Sequence, residues 1–307
     1  MGRVGRVVDF HPDLARNARF TPRRIVTPYS VSLIRGALRL MGRRTPDDVE
    51  VLTTASGARV RLHRPPGASG AGPGLLWIHG GGYLIGNAAM DDAVCRRFAR
   101  QLGVTVAAVD YRLAPEYPYP IPLEDCYAAL TWLAELPAVD PTKVAIGGAS
   151  AGGGLAAALA LLARDRGEVD LAAQLLVYPM LDDRSGTQPG LDDPNHRLWT
   201  QSTNVYGWTS YLGDADPNVA VPARRDDLSG LPPAWIGVGT LDLFHDEDLA
   251  YAERLRTAGV PCEVEVVPGA FHGFDGVAAK AAVSQDFFAT QTDWLRRTFT
   301  QMQSADA

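Results

Sequence analysis

The sequence lacks any long run of apolar residues. No stretch of its 307 residues approaches the roughly 20 apolar residues that a membrane-spanning helix needs. It also lacks the apolar core of a signal peptide near Met1, so we expect neither a membrane span nor secretion. Cysteine is scarce as well, since Cys95, Cys126 and Cys262 are odd in number and fit no metal-ligand spacing. We therefore expect unpaired thiols in a reducing, cytoplasmic setting and no metal site.

Lysine is nearly absent, because 27 of the 29 basic residues are arginine, and the net charge is −6. This balance gives no reason to expect a nucleic-acid partner. The charge is uneven, however, because residues 1–44 hold ten arginines against two acids, Asp9 and Asp13. Such a start is compatible with a transit peptide or an anionic partner.

A structural role for residues 1–44 is favoured by their apolar pattern. Helical spacing relates four apolar positions, Val31, Ile34, Leu38 and Met41. Thr21-Pro22 and Thr27-Pro28 break the segment into short pieces. We therefore expect short helices laid against the protein rather than a cleaved leader.

Strand and helix patterns alternate along most of the chain. After two strands at 49–53 and 58–64, the expected order is strand 75–78, helix 92–102, strand 104–109, helix 123–136, strand 143–146, helix 155–163, strand 173–178, strand 234–238, helix 247–258, strand 263–267 and helix 282–302. Such alternation is typical of an α/β fold, in which helices cover both faces of a mostly parallel central sheet.

Residues 182–230 interrupt this alternation. The segment is rich in Asp, Pro and Ser and contains four large aromatic residues, Trp199, Tyr206, Trp208 and Tyr211. A segment of this length without strand signals is usually a functional insertion. We expect one catalytic domain over residues 45–307 that carries this insertion.

The segment Gly148-Ala149-Ser150-Ala151-Gly152 fits G-x-S-x-G, the turn that carries a nucleophilic serine from a strand to a helix. The serine backbone is strained in such a turn, and glycine two residues away on either side avoids a collision with the neighbouring strand and helix. A glycine-rich helix start is the alternative interpretation. The predicted strand before the turn and the predicted helix after it favour the serine turn.

The segment His79-Gly80-Gly81-Gly82 follows a predicted buried strand directly. Consecutive glycines leave backbone N–H groups free to approach a developing negative oxygen, as an oxyanion hole requires. A plain glycine turn with a structural histidine is the alternative. The motif lies far enough before Ser150 to occupy a different loop at the same edge of the sheet.

A serine nucleophile needs a base and an acid that orients the base. His272 and Asp242 each follow a predicted strand, as Ser150 does, and the chain order Ser, Asp, His is that of α/β-hydrolases. Other acids remain alternatives to Asp242, namely Asp246, Glu247 and Asp248. Asp246 or Glu247 could instead cap the helix that begins there.

Together these motifs resemble the hormone-sensitive lipase family, the bacterial family IV branch of the α/β-hydrolase esterases. The resemblance runs from about Leu75 to about Arg297 and rests on segments 79–82, 110–116, 148–153, 242–247 and 272–274. It implies the α/β-hydrolase fold, with Ser150 as nucleophile, His272 as base and Asp242 as its orienter. It also implies an oxyanion hole formed by the N–H groups of Gly81, Gly82 and Ala151.

The resemblance extends to a helical cap, with residues 1–44 as N-terminal cap helices and about 183–230 as a second cap segment. Candidate substrate-binding residues are Tyr83, Trp208, Leu212 and Phe244, although such side chains could instead fasten the cap to the body or pack in the core. A capped apolar pocket favours short- to medium-chain acyl esters. One departure from the family pattern is Ala149, since relatives often have Asp before the serine.

These observations predict a carboxylesterase that acts on a small-molecule ester through an acyl-enzyme, without a cofactor. An amidase, deacetylase or lactone hydrolase would use the same residues. Plant hormone receptors of this fold bind without hydrolysis, but they lose the base histidine that is present here as His272. A homodimer through the last strand is possible, as in family members, although Glu263 and Glu265 argue mildly against tight edge pairing.

Overall fold

The computed structural model describes residues 9–54, 57–67 and 70–305. Residues 1–8 of the predicted N-terminal helices and residues 306–307 of the predicted catalytic domain lie outside these ranges. The strands are β1 (Val49–Thr53), β2 (Arg59–His63), β3 (Gly72–Ile78), β4 (Thr105–Asp110), β5 (Val139–Ala149), β6 (Leu171–Val177), β7 (Ala234–Leu241) and β8 (Cys262–Phe271).

The helices of the described ranges are α1 (Ala15–Phe20), α2 (Val31–Met41), α3 (Asp92–Leu102), α4 (Ile121–Ala134), α5 (Ala151–Arg166), α6 (Gln201–Leu212), α7 (Pro217–Ala220), α8 (His245–Thr257), α9 (Phe274–Val277) and α10 (Ala282–Ala305). The alternating order matches the expectation from the sequence. Helix α6, which lies in the insertion, is the main element that the sequence did not indicate. No helix within the described residues combines the length and apolar character needed to cross a membrane.

The strands form one sheet in the order β1-β2-β4-β3-β5-β6-β7-β8. The pairs from β4 to β8 are parallel, whereas β1, β2 and β4 pair antiparallel. Helices cover both faces of the sheet, and successive side chains of each strand point to opposite faces. In β3, for example, Leu76 and Ile78 pack in a core with α4, α5 and α8, while Leu75 and Trp77 pack in a second core with α3 and α10. The α/β prediction is confirmed.

This topology brings together the residues that follow the parallel strands. Ser150 follows β5, Asp242 follows β7 and His272 follows β8, while His79 follows β3. The carboxyl ends of parallel strands meet at one edge of a sheet, where open α/β sheets bind their ligands. The candidate site residues therefore follow four strands of the parallel part of the sheet, with β6 between β5 and β7.

The N-terminal helices lie against this body and against the insertion. Helix α2 turns Ile34 and Leu38 toward the core, and the Leu38 carbonyl accepts a hydrogen bond of 2.9 Å from Asn87 Nδ2. The backbone N–H of Leu198, in the insertion, donates to the carbonyl of Pro22 at 2.9 Å. Two segments that are distant in sequence are thus joined.

Candidate active site

Ser150 occupies a strained turn between β5 and α5. Its backbone has φ 58° and ψ −123°, in the positive-φ region that L-residues rarely adopt. The conformation is held by two backbone bonds, because Ser150 N–H donates to the Val177 carbonyl at 2.9 Å and the Ser150 carbonyl accepts from Met180 N–H at 3.0 Å. The side chain stands at the N-terminus of a 16-residue helix.

Glycine is required on both sides of the serine because the neighbouring backbone comes too close for any side chain. A Cβ at Gly148 would lie 2.4 Å from the Gly152 carbonyl oxygen, and one at Gly152 would lie 2.0 Å from that of Ile78. The collision inferred from the G-x-S-x-G spacing is therefore present at both positions.

A continuous hydrogen-bonded line joins three buried side chains. Ser150 Oγ lies 2.9 Å from His272 Nε2, and His272 Nδ1 lies 2.8 Å from Asp242 Oδ2. The other carboxylate oxygen of Asp242 accepts from the backbone N–H of Phe244 at 3.0 Å. This is the arrangement by which a serine hydroxyl, an imidazole base and an orienting carboxylate carry out acyl transfer.

The imidazole of His272 is fixed by two aromatic rings as well as by its hydrogen bonds. Tyr178 and Phe244 each meet it edge-on, with ring centroids at 4.9 Å and 5.1 Å. The hydroxyl of Tyr178 donates to Asp275 Oδ1 at 2.7 Å. Neither Tyr178 nor Asp275 was singled out from the sequence, although Tyr178 directly follows β6 at the same sheet edge as Ser150.

The glycine loop after β3 approaches the serine turn closely. A Cβ at Gly80 would lie 3.3 Å from the Cβ of Ser150. Gly81 and Gly82 have positive φ values of 120° and 62°. Ala151 is the first residue of α5, so its N–H has no acceptor within the helix. Of the three backbone groups named from the sequence, that of Ala151 directly follows the serine, and those of Gly81 and Gly82 follow Gly80, which approaches it.

His79 supports this loop and is not part of the hydrogen-bonded line from Ser150 to Asp242. Its ring stacks on Tyr111 at 4.2 Å, and its Nδ1 lies 2.7 Å from the Gly80 carbonyl oxygen, which accepts the bond. Burial lowers the pKa of His79, which favours the neutral imidazole. The structural interpretation of this histidine fits these contacts.

Residues of the insertion cover the site. A Cβ at Gly82 would lie 1.9 Å from the indole of Trp199, and one at Gly273 would lie 3.1 Å from the Leu198 side chain. Ser150 and His272 are each only 6% exposed beneath this cover. Trp199 and Leu198 therefore lie against the loops that adjoin Ser150 and His272, although the sequence did not single them out as pocket residues.

The residues predicted to line the substrate pocket occupy three environments. Tyr83 is buried in an aromatic cluster, in which its ring lies 4.1 Å from Tyr211 and 5.4 Å from Trp208. Phe244 is buried against His272, and Leu212 is half-buried beside the core. Of the four predicted pocket residues, Phe244 therefore contacts His272. Tyr83 and Trp208 instead pack against each other, and Leu212 packs beside the core.

The acids that competed with Asp242 have other surroundings. Asp246 is exposed and lies 2.7 Å from His245 Nδ1. Glu247 Oε1 accepts from the N–H groups of Leu181 and Asp182 at 2.8 Å and 3.1 Å. Asp248 is fully buried, and burial raises its pKa well above the ordinary range. Asp242 is the acid that contacts His272.

Two further features lie outside this constellation. An open cavity of about 970 Å³ lies between α2, β2 and segment 110–117. Its walls include none of Ser150, His272 and Asp242, and none of the glycines at 80–82. In the part of the chain that the structure describes, no three His, Cys, Asp or Glu residues are placed to share a metal ion.

Comparisons with known proteins place this geometry in a family. A family model described as alpha/beta hydrolase fold matches residues 75–276. The carboxylic ester hydrolase LipN of Mycobacterium tuberculosis is 37% identical over 74% of this chain, and the match spans 63% of LipN's own length. The ethyl acetate hydrolase of Pseudomonas putida is 36% identical over 73% of this chain and 74% of its own.

Among solved structures, a bacterial heroin esterase superposes with a TM-score of 0.84. It is 38% identical to this chain and covers 94% of it, with 98% of its own length aligned. These similarities confirm the resemblance to hormone-sensitive lipase family esterases that the motifs indicated. The chain belongs to the alpha/beta hydrolase family.

Proposed function

We propose that the protein is a carboxylesterase that hydrolyses short- to medium-chain esters through an acyl-enzyme on Ser150. The observation that carries this proposal is the buried line from Ser150 through His272 to Asp242, with hydrogen bonds of 2.9 Å and 2.8 Å. The relatives named as ester hydrolases support the same activity.

In the proposed reaction His272 Nε2 takes the proton as Ser150 Oγ attacks the ester carbonyl carbon. The carboxylate of Asp242 holds the Nδ1–H of His272 and stabilises the imidazolium that forms. His272 then donates that proton to the leaving alcohol, which leaves the acyl group on Ser150. Water attacks this acyl-enzyme with His272 as base again, and the carboxylic acid departs.

The negative oxygen of each tetrahedral intermediate needs hydrogen-bond donors. We assign this role to the N–H groups of Gly81, Gly82 and Ala151. The close approach of the glycine loop to Ser150 and the free N-terminus of α5 support the assignment. A buried site strengthens these interactions because little water screens them.

The cap assigned from the sequence, residues 1–44 with about 183–230, supplies the proposed acyl pocket. Trp199 and Leu198 support this assignment, since both lie against loops that carry the reacting groups. A bulky indole beside the glycine loop leaves less room for an acyl chain, which favours short and medium chains.

The compartment and the assembly state belong to the same proposal. Cys95, Cys126 and Cys262 are unpaired, which supports a reducing compartment such as the cytoplasm. A homodimer would form through β8, which is an edge strand of the sheet. Sedimentation equilibrium tests this assembly, and a monomer at all concentrations would contradict it.

The decisive experiment compares wild type with Ser150→Ala on p-nitrophenyl esters from acetate to laurate. We expect peak activity at short or medium chains and its loss in the variant, with circular dichroism showing both proteins folded. Turnover of the matching anilides or of lactones above that of the esters would favour the amidase or lactonase alternative. Normal ester turnover by Ser150→Ala would refute the acyl-enzyme on Ser150.

A further inference from the structure

Helix α2 has two apolar stripes, and only one of them is buried. The inward stripe includes Val31, Ile34 and Leu38, which pack on the core. A second apolar set is exposed, and we call it the outer stripe: Tyr29, Leu33, Ala37, Leu40 and Met41. Leu33, Ala37 and Leu40 share the outward face at helical spacing, whereas Tyr29 precedes α2 and Met41 ends it. Met41 was expected on the inward stripe from its spacing, but it is exposed at the end of the helix. A water-facing helix surface is normally polar, so the outer stripe needs an explanation.

The exposure of the outer stripe is extensive. Tyr29 is 97% exposed, Leu33 78%, Met41 74% and Leu40 65%. Phe20, which ends α1, is exposed as well. Single apolar residues on a surface are ordinary, but a contiguous set marks a surface that meets another molecule or a membrane.

The charge within the segment that carries the outer stripe is of one sign. Residues 21–44 contain six arginines and no acid. Arg23 and Arg35 pair with Asp192 and Glu116. The other four lie beyond ion-pair distance of any carboxylate in the described residues: Arg24, Arg39, Arg43 and Arg44. The segment with the exposed apolar face therefore also carries four arginines without an ion-pair partner among the described residues.

The rest of the chain has the opposite sign. Residues 1–44 contain ten arginines and two acids while the whole chain carries −6, so residues 45–307 carry a net charge of −14. Near an anionic surface this asymmetry turns the N-terminal helices toward the surface and the acidic body away from it. Symmetric pairing of two outer stripes would instead bring like charges together.

We propose that the outer stripe and its flanking arginines dock the protein on an anionic lipid surface. Apolar side chains on one helix face with arginines beside them are the features of a helix that lies in the interfacial plane of a bilayer. The leucines, Tyr29 and Met41 enter the boundary of the acyl chains, and Arg39, Arg43 and Arg44 meet the lipid phosphates. The docking needs no membrane-spanning segment.

The test is flotation of the full chain with vesicles at low salt. Wild type should float with phosphatidylcholine vesicles that contain one third phosphatidylglycerol. It should not float with pure phosphatidylcholine vesicles, nor with the anionic vesicles at high salt. Two triple variants should lose binding: Leu33→Gln with Leu40→Gln and Met41→Gln, and Arg39→Gln with Arg43→Gln and Arg44→Gln. For the arginine variant we expect weakening on the order of 100-fold.

Matched controls make the same chemical changes elsewhere. Met90→Gln with Val205→Gln and Val219→Gln alters exposed apolar residues outside the outer stripe, and Arg100→Gln with Arg296→Gln and Arg297→Gln removes equal charge from α3 and α10. Both controls should float like wild type, and all variants should keep the wild-type melting temperature within a few degrees.

Three results would overturn the proposal. Wild type could fail to float with anionic vesicles, the controls could lose binding as much as the two stripe variants, or the stripe variants could float normally. A stripe-dependent dimer in sedimentation, without flotation, would assign the face to a second copy instead. None of these readouts depends on esterase activity, so the proposed function is tested separately.

Discussion

Tyr178 links the imidazole of His272 to a second carboxylate. Its ring meets His272 edge-on at 4.9 Å, and its hydroxyl donates to Asp275 Oδ1 at 2.7 Å. Burial raises the pKa of Asp275, whereas its bond to Tyr178 and the charge of His272 act in the opposite direction. The hydrogen bond to Asp275 therefore fixes the far end of the ring that lies against His272.

We therefore expect Asp275→Ala to lower kcat/KM by roughly tenfold, because the Tyr178 hydroxyl loses its acceptor and the ring is no longer fixed against His272. The measurement is kcat/KM for a neutral p-nitrophenyl ester, with the melting temperature recorded for each protein.

Tyr178→Phe serves as the companion variant. It removes the donor of the same hydrogen bond and keeps the ring, so kcat/KM should fall to a similar extent. Asp275→Asn keeps an acceptor oxygen and should retain more activity than Asp275→Ala. Unchanged kcat/KM in both Asp275→Ala and Tyr178→Phe would contradict a role for this bond in holding His272.

Gly82→Ala should lower kcat by roughly 100-fold, as expected for a displaced oxyanion donor. The residue has φ +62°, and an added Cβ would lie 1.9 Å from the indole of Trp199, so the loop must move. We expect a lower melting temperature as well. Gly36→Ala is the control, since a Cβ there would meet nothing within 4 Å. Unchanged kcat in Gly82→Ala would contradict the assignment of this loop.

Trp199→Ala should extend the preferred acyl chain. The indole is 4% exposed, its Nε1 donates to Asn204 Oδ1 at 3.2 Å, and it lies against the glycine loop. Removing it opens space there, so the kcat/KM ratio of decanoate to butyrate should rise about tenfold. Trp208→Ala is the control, because Trp208 packs against Tyr83 and should affect stability more than chain length. An equal loss on all chains would refute the pocket role.

Glu247 should make the protein less stable as pH rises. Burial raises its pKa to about 8 although Leu181 and Asp182 donate to it. In the unfolded chain a glutamate titrates near 4.3, so between about pH 4.3 and 8 only the folded state keeps the proton. The free energy of unfolding therefore falls through this range because of Glu247.

Glu247→Gln tests this by urea unfolding at several pH values from 5 to 8. The variant keeps a neutral carbonyl oxygen for the two N–H groups, so its stability relative to wild type should increase with pH. Glu253→Gln on the same helix is the control, because that side chain is 72% exposed. Parallel stability curves for wild type and Glu247→Gln would contradict the prediction.

The sheet and the ends of its strands could be predicted because their signals are local. Helix α3 was predicted with its observed bounds, Asp92–Leu102, and every predicted strand is present. The observed strand boundaries differ from the predicted ones where strand pairing continues beyond the apolar residues. Strand β5 begins at Val139 rather than at 143, because Val139 pairs with Gly72 of β3. The sequence did not indicate this extension, because Asp140 and Pro141 after Val139 are poor strand formers.

The surroundings of the site could not be predicted in the same way. Helix α6 contains β-branched residues and a glycine, so its propensity is low and tertiary packing stabilises it. The contacts of Trp199 with Gly82 and of Tyr178 with His272 join residues about 100 positions apart. No local pattern carries that information, because the order of strands in the sheet decides it.

The line from Ser150 to His272 spans 122 residues of sequence, and its members directly follow β5, β7 and β8. Such a separation means that the reacting groups meet only after the carboxyl-terminal half of the sheet has assembled. During refolding, recovery of ester hydrolysis should therefore follow recovery of helix and strand signals. Enzymatic activity in this protein is a reporter of completed tertiary structure.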